Sequence, residues 1–430
     1  MTQVTASRSV LRSEPGYRGQ GVHLVHPTGN NNVRQALVAL SEADALGGFH
    51  TTIAWDGERQ LGRLLPAGVR EELERRAYPE IEKGLIHPHP WREASRLAAG
   101  RFGWRSLTRH ETGPLRLDAV CAALDREVGQ AIERNATQIG AVYCYEDCAL
   151  ESLRAARRRG VACFYELPIG YGRAWVKLRA LELEREPLWG QTIEAAAFTE
   201  GRLARKDAEI AAADRVIVPS RFVAETLIGS AAREVVVVPY GCPPPVELET
   251  VRRGSDGPLR VLFVGHISQR KGISYLLRAM EILGGAAELT LVGQFTHQSA
   301  ELARQLNRRR WMRSMPHRQV LREMQSHDVL VLPTLFEGRA LVVLEALAQG
   351  LPVVTTANSG TEDVVVDGVS GLVVPTGSAV AIAEALTRLA EDRRLLEAMR
   401  EGALRAAVAC NWQSFRTRLL AAIAGRVGAA

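Results

Sequence analysis

No apolar run in this 430-residue chain reaches the roughly 18 residues that a bilayer-crossing helix needs, so no membrane span is expected. Arg8 and Arg12 stand near the N-terminus with no long apolar core after them, so no signal peptide is expected either. Cysteine is scarce. Cys121, Cys144, Cys148, Cys163, Cys242 and Cys410 are scattered, and no C-x-x-C pair occurs. Cys144 and Cys148 lack His or Cys partners at metal-ligand spacing, which excludes the common zinc and dithiol redox classes. Buried free thiols in a reducing cytosol are expected instead. The charge surplus is also small. A net charge of +6 and a pI near 9.1 suit an anionic ligand or lipid headgroups, but fall short of what nucleic-acid binding would call for.

What is present is ordinary for a globular protein: 46% apolar and 24% charged residues. The length exceeds what one hydrophobic core usually organises, which predicts two domains. Residues 1–20 read as a loose polar arm. "GVHLVHP" reads as a strand, followed by a turn "TGNNN" and a helix from Val33 to about Leu46. "TTIAW", "AVYCYE", "VACFYEL" and "RVIVPS" read as further strands, with helical stretches such as "LESLRAARRRG" between them. A Pro-rich and then Gly-rich stretch over 241–258 reads as a linker. Beyond it "LRVLFVG", "ELTLVG", "DVLVLP", "LPVVTT" and "GLVVP" begin a second series of strands. The alternation predicts an α/β protein of two Rossmann-like domains, 21–240 and 259–410, facing each other across a cleft. Ligands of such sheets sit beyond the C-terminal strand ends, where loops and helix N-termini converge.

The strongest chemical signal is "LFEGRALVVLEALAQGLPVVTT". Glu337 is placed in a loop after a strand, and Glu345 about two turns into the helix that follows. A helix starting near Arg339 would aim its backbone N–H groups at the space Glu337 enters. That arrangement suits a diphosphate, with the acids accepting hydrogen bonds from sugar hydroxyls. An alternative is a solvated helix end, where Glu is favoured anyway.

The wider context resembles family 4 of the glycosyltransferases. It consists of "VLFVGHISQRKGISYLLRAM", "ELTLVG", "HDVLVLPTLFEGRALVVLEALAQGLPVVTT" and "NSGTEDVVVDGVSGLVVPTGS", in that order. The resemblance implies a GT-B fold and transfer of a sugar, with retention, from a nucleoside-diphosphate sugar to a saccharide or lipid-linked acceptor. It implies no metal and no other cofactor, and no D-x-D stands in a metal-holding role. By the same resemblance Glu345 binds the donor ribose and Glu337 contacts the donor sugar. The backbone of Gly338, Arg339, Ala340 and Leu341 is expected near the phosphates and sugar. Lys271 matches the family's lysine in the loop that begins at Gly265. The usual arginine after that glycine is His266 here, so Arg270 is expected to supply the missing charge, or His266 a hydrogen bond. Fixed cations there would stabilise the charge that builds on a departing nucleoside diphosphate. Arg339 and Ala340 stand where the family usually has an aromatic residue and a glycine.

The N-terminal half resembles the family less. Gly29, Asn30 and Asn31 occupy the place of its glycine-rich first loop and are read as acceptor-side candidates or as turn and capping residues. "VYCYEDCAL" has Glu146 and Asp147 where a histidine is usual, and Glu166, Tyr171 and Arg173 are further cleft candidates. The stretch 91–110 carries Arg92, Arg96, Arg101, Arg105 and Arg109 among Trp91, Leu97, Phe102, Trp104 and Leu107. It reads as a peripheral membrane contact or as an ordinary solvated helix face, in a protein placed in the cytoplasm. "NWQSFRTRLLAAIAG", within 411–430, is expected to cross back and pack on the N-terminal domain. Rival readings are a noncatalytic nucleotide-sugar-binding subunit and a GT-B nucleotide-sugar epimerase.

Overall fold

The computed structural model describes residues 21–424 except 57–66, 110–111, 194–198, 248–256 and 297–298. The expected arm at 1–20, half of the linker (248–256) and His110 lie outside the described residues. The first sheet comprises β1 (Val22–Val25), β2 (Leu46–Thr51), β3 (Ile86–Pro88), β4 (Ala141–Tyr145), β5 (Ala162–Glu166), β6 (Arg215–Val218) and β7 (Val235–Val237). Its order is β3-β2-β1-β4-β5-β6-β7, and every pairing is parallel. The second comprises β8 (Leu259–Val264), β9 (Ala287–Val292), β10 (Arg310–Met312), β11 (Val329–Leu332), β12 (Val353–Thr355) and β13 (Gly371–Val373), in the order β10-β9-β8-β11-β12-β13, again all parallel. Parallel strands need crossovers, and helices supply them on both faces. The strands are buried on both sides accordingly, as the near-continuous apolar runs of β4, β8 and β11 require.

Two details differ from the sequence reading. The second strand is Leu46–Thr51 rather than "TTIAW", and the first helix spans Asn31–Glu42. β2 stays in register with β1 only to the pair Val25↔His50, so the residues after Thr51 have no strand beside them. The Thr52 amide turns to Pro27 O instead. The edge strands β3 and β10 were not read as strands. Each has three residues, and each lies at the rim of its sheet.

The last helix, Trp412–Ile423, leaves the second domain and packs on the Asn31–Glu42 helix of the first. Phe415 and Leu419 are buried there, Arg416 Nη1 donates to Gln35 Oε1 (2.8 Å), and Arg215 Nη1 donates to Ala422 O (2.9 Å). Cys242 and Asn411, on the two crossing segments, form a parallel bridge. Five of the six cysteines are buried and Cys410 is half-buried; all are free thiols.

Candidate active site

Strand order reverses between β1 and β4 in the first sheet and between β8 and β11 in the second. Crevices open beyond the C-terminal ends at such points. Gly265, His266, Arg270 and Lys271 lie on the loop after β8, and Glu337 and Gly338 on the loop after β11.

A short 3-10 turn, Gln269–Lys271, closes on Gly272 at φ +73°. A Cβ there would lie 2.0 Å from Pro333 O, so both the left-handed backbone and the contact demand glycine. The contact lays the basic loop against the end of β11. Arg270 O accepts from Leu335 N (2.8 Å) and Thr334 Oγ1 (3.1 Å). With the two loops joined, Lys271 Nζ donates to Glu337 Oε2. Arg270 Nη1 donates to Phe336 O (2.9 Å) and lies 3.4 Å from each Glu337 carboxylate oxygen. Burial pushes the Glu337 carboxyl up, but Lys271 and Arg270 more than offset this and hold it below its ordinary range. These two cations outnumber the carboxylate they share, which suits an anionic group. His266 Nε2 is paired with Thr296 Oγ1 at 3.0 Å.

Glu345 lies one turn, not two, into the Leu341–Ala348 helix. Burial raises its carboxyl above the ordinary range, opposed by His317, whose Nε2 is 3.9 Å from Glu345 Oε1. The loop before that helix holds Arg339 and Ala340 by contacts of their own. The Arg339 side chain is wholly buried. It donates to both Asp363 carboxylate oxygens (2.5 and 3.1 Å), Gly360 O (3.1 Å), Tyr240 O (2.9 Å) and Cys410 Sγ (3.2 Å). Ala340 is the N-cap of the helix, and its N–H is taken by Ser359 O (3.0 Å). Leu341 opens the helix and is partly exposed.

The first domain closes directly onto this loop. A Cβ on Gly338 would lie 1.7 Å from Pro168 O, and Gly338 O accepts from Ser220 Oγ (2.7 Å). Gln269 Nε2 donates to Glu182 Oε1 (2.7 Å), which also accepts from Tyr275 OH (2.8 Å). Glu182, Ser220, His317 and Asp363 were not singled out from sequence. Each owes its place to a partner far along the chain, so local spacing carries no signal for it.

The acceptor-side candidates are more occupied than expected. Gly29 sits in a tight turn against the Tyr78 ring, and Asn30 caps the Asn31–Glu42 helix by accepting from Val33 N (3.1 Å). Asn31, the helix's first residue, is exposed. Lys206 pairs with Glu146 and, at 3.0 Å, with Asp147. Glu166 is buried between Tyr143 and Tyr240 hydroxyls, and burial pushes its carboxyl up to about 8. It is a core group, not a cleft residue. Tyr171 and Arg173 are joined to Asp207. His26, at the end of β1, was not singled out; its Nδ1 accepts from Thr28 N (3.1 Å) and Gly29 N (2.8 Å).

Residues 249–405 match the model of one family, glycosyl transferases group 1. The matched stretch falls on the second domain. Among curated relatives, the amylovoran biosynthesis glycosyltransferase AmsK of Erwinia amylovora is 29% identical over 38% of this chain and 44% of its own. D-inositol 3-phosphate glycosyltransferase 1 of Catenulispora acidiphila is 31% identical over 51% of this chain and 59% of its own. The chain thus spans about half the length of the curated relatives it matches. Two solved structures align over nearly the whole chain. Sucrose-phosphate synthase from Thermosynechococcus elongatus has a TM-score of 0.62 at 20% identity, covering 93% of this chain and 97% of that one. Anabaena HepE in complex with UDP has a TM-score of 0.60 at 14% identity, covering 94% and 100%. At that identity the likeness speaks for the fold, which is GT-B: two Rossmann-like domains facing each other.

Proposed function

We propose that this protein transfers a sugar from a nucleotide-sugar donor to a saccharide or lipid-linked acceptor, with retention and without a metal, in polysaccharide or glycoconjugate biosynthesis in the cytoplasm. The observation that carries it is the Lys271–Arg270–Glu337 cluster, built on two loops at the switch point of a group 1 domain and covered by the opposing domain. As the bond from the anomeric carbon to the diphosphate breaks, negative charge moves onto the diphosphate. Lys271 and Arg270 are the fixed cations beside it. Glu345 takes the ribose and Glu337 the donor sugar. Glu146 and Asp147 are bound by Lys206, and Glu166 by two tyrosines. That favours a donor phosphate oxygen, rather than a protein carboxylate, as the group that receives the acceptor's proton.

The test is a panel of nucleotide sugars, scored by thermal shift and by donor hydrolysis or transfer. A donor at about 100 times its dissociation constant adds about 2.7 kcal/mol of stability. If no nucleotide sugar or nucleoside diphosphate stabilises the protein, the reading falls. Binding without turnover would make it a binding subunit, and an isomerised sugar from donor alone would make it an epimerase.

A further inference from the structure

We propose that the helix Trp91–Arg101 and the turn after it form a docking face for an anionic lipid bilayer. Trp91, Ser95, Ala98 and Phe102 follow one another at helical spacing on one side of this helix, and all four are exposed. Trp91 is 83% exposed, Phe102 69% and Trp104 56%, and the Phe102 and Trp104 rings lie 5.4 Å apart. Large aromatic side chains clustered in the open mark an interaction surface. Arg92 and Arg101 flank the aromatic stripe, and Arg105 and Arg109 follow it; all are exposed.

The opposite side of the helix fixes this orientation. Glu93 is fully buried, accepting from Arg76 Nη2 (2.9 Å) and from Arg96 Nε (2.6 Å) and Nη2 (2.8 Å). The aromatics cannot turn inward without breaking these buried pairs. Arg96 is thereby removed from the outer face. Glu93, the one acid in the stretch 91–109, is hidden, so the exposed charges of the stretch itself are all positive. Glu127, on the helix Leu117–Asn135, is the acid that lines the groove beside Trp91 and Arg92, where it pairs with His89.

That combination selects the occupant. Trp and Phe settle at headgroup level while arginines reach lipid phosphates, and a helix of this length lies along the surface for about 16 Å. A second copy would set arginines against arginines. Nucleic acid would need the charge but not the outward-facing apolar rings.

The test uses the full chain, with no nucleotide sugar, so its outcome is separate from the transferase reading. Protein is sedimented with phosphatidylcholine vesicles, with or without a third of phosphatidylglycerol, at low and high salt. The expected result is binding to the anionic vesicles at least roughly tenfold stronger than to neutral ones, weakened by salt. Trp91→Ser/Phe102→Ser/Trp104→Ser and Arg101→Glu/Arg105→Glu/Arg109→Glu should each reduce it by roughly tenfold or more. Their melting temperatures should be unchanged, because these side chains are exposed. Wild-type protein that ignores anionic vesicles at low salt, or variants that bind as wild type does, would overturn the proposal. So would self-association or RNA binding through this face in place of vesicle binding.

Discussion

Replacing Lys271 with alanine should separate charge stabilisation of a leaving group from the upkeep of a buried carboxylate. Lys271 Nζ contacts Glu337, and both side chains are largely buried. Losing one partner of such a pair typically costs about 3–5 kcal/mol. Here Arg270 stays 3.4 Å from both Glu337 oxygens and keeps part of the compensation, so about 1–3 kcal/mol of stability is the expected loss. Turnover should fall by about 10²-fold or more, the usual effect of removing one group that stabilises transition-state charge. The second variant, Lys271→Ala/Glu337→Gln, removes the uncompensated charge as well. Its stability should return towards wild type, while turnover should remain at or below that of the single mutant. Urea denaturation gives the first quantity. Release of nucleoside diphosphate, with the best donor from the panel, gives the second. Turnover that recovers together with stability would mean that Lys271 serves only to neutralise Glu337, and the catalytic assignment would be lost.

Glu345→Gln should weaken binding of free nucleoside diphosphate by about 1.5–3 kcal/mol in calorimetry, the worth of a hydrogen bond to a charged acceptor; Glu337→Gln should leave that affinity nearly intact and lower transfer, and equal losses would refute the division. Because burial raises the Glu345 carboxyl, wild-type affinity should begin to fall at a higher pH than an ordinary carboxylate would give, and this early fall should vanish in Glu345→Gln. Arg339→Ala should destabilise the fold by about 3 kcal/mol, by leaving Asp363 and two carbonyls without their donor, yet change nucleoside diphosphate affinity little; the reverse pattern would put Arg339 in the donor site. Burial holds the His26 imidazole down at about 3 against 6.5 unfolded, so its contribution is whole above pH 6.5 and declines as pH falls towards 3. Between pH 7 and 5 that loss is about 2 kcal/mol, and His26→Gln should remove it from the pH dependence of urea stability; an unchanged difference between the two pH values would mean that the imidazolium is tolerated.

The two-domain α/β organisation was legible because apolar runs such as "LRVLFVG" and "DVLVLP" can hardly be anything but buried strands. The edge strands were not. "IHP" contains a proline, "RWM" opens on an arginine, and each is a strand only because a neighbour offers hydrogen bonds on one side. In the site, the loop positions of Lys271, Arg270 and Glu337 followed from sequence. The ion pairs among them span more than 60 residues and follow from the close approach of Gly272 to Pro333. For Glu146 and Asp147 the decisive residue is Lys206, on a helix beyond β5 and well outside any local window. Carboxylates at a strand end look the same in sequence whether they face a ligand or a lysine.

The same reasoning applies to Arg339 and Ala340, in the loop before the Leu341–Ala348 helix. An aromatic residue replaced by arginine and a glycine replaced by alanine look damaging if both positions face the ligand. Both side chains are buried. The Arg339 guanidinium is a buried tie that joins Asp363 and Gly360 of the second domain to Tyr240 on the crossing segment and to Cys410 before the crossing helix. Ala340 is buried, and its N–H is bound to Ser359 O. At Gly338, between these residues and Glu337, a Cβ would strike Pro168 O of the opposing domain. Glycine is thus required where the first domain presses on the loop, whereas the positions of Arg339 and Ala340 have room for a side chain. Arg339 links Glu337's loop to both crossing segments, and Pro168 and Ser220 hold it from the other side. The position of the Glu337 carboxylate beside Lys271 therefore depends on how the two domains close.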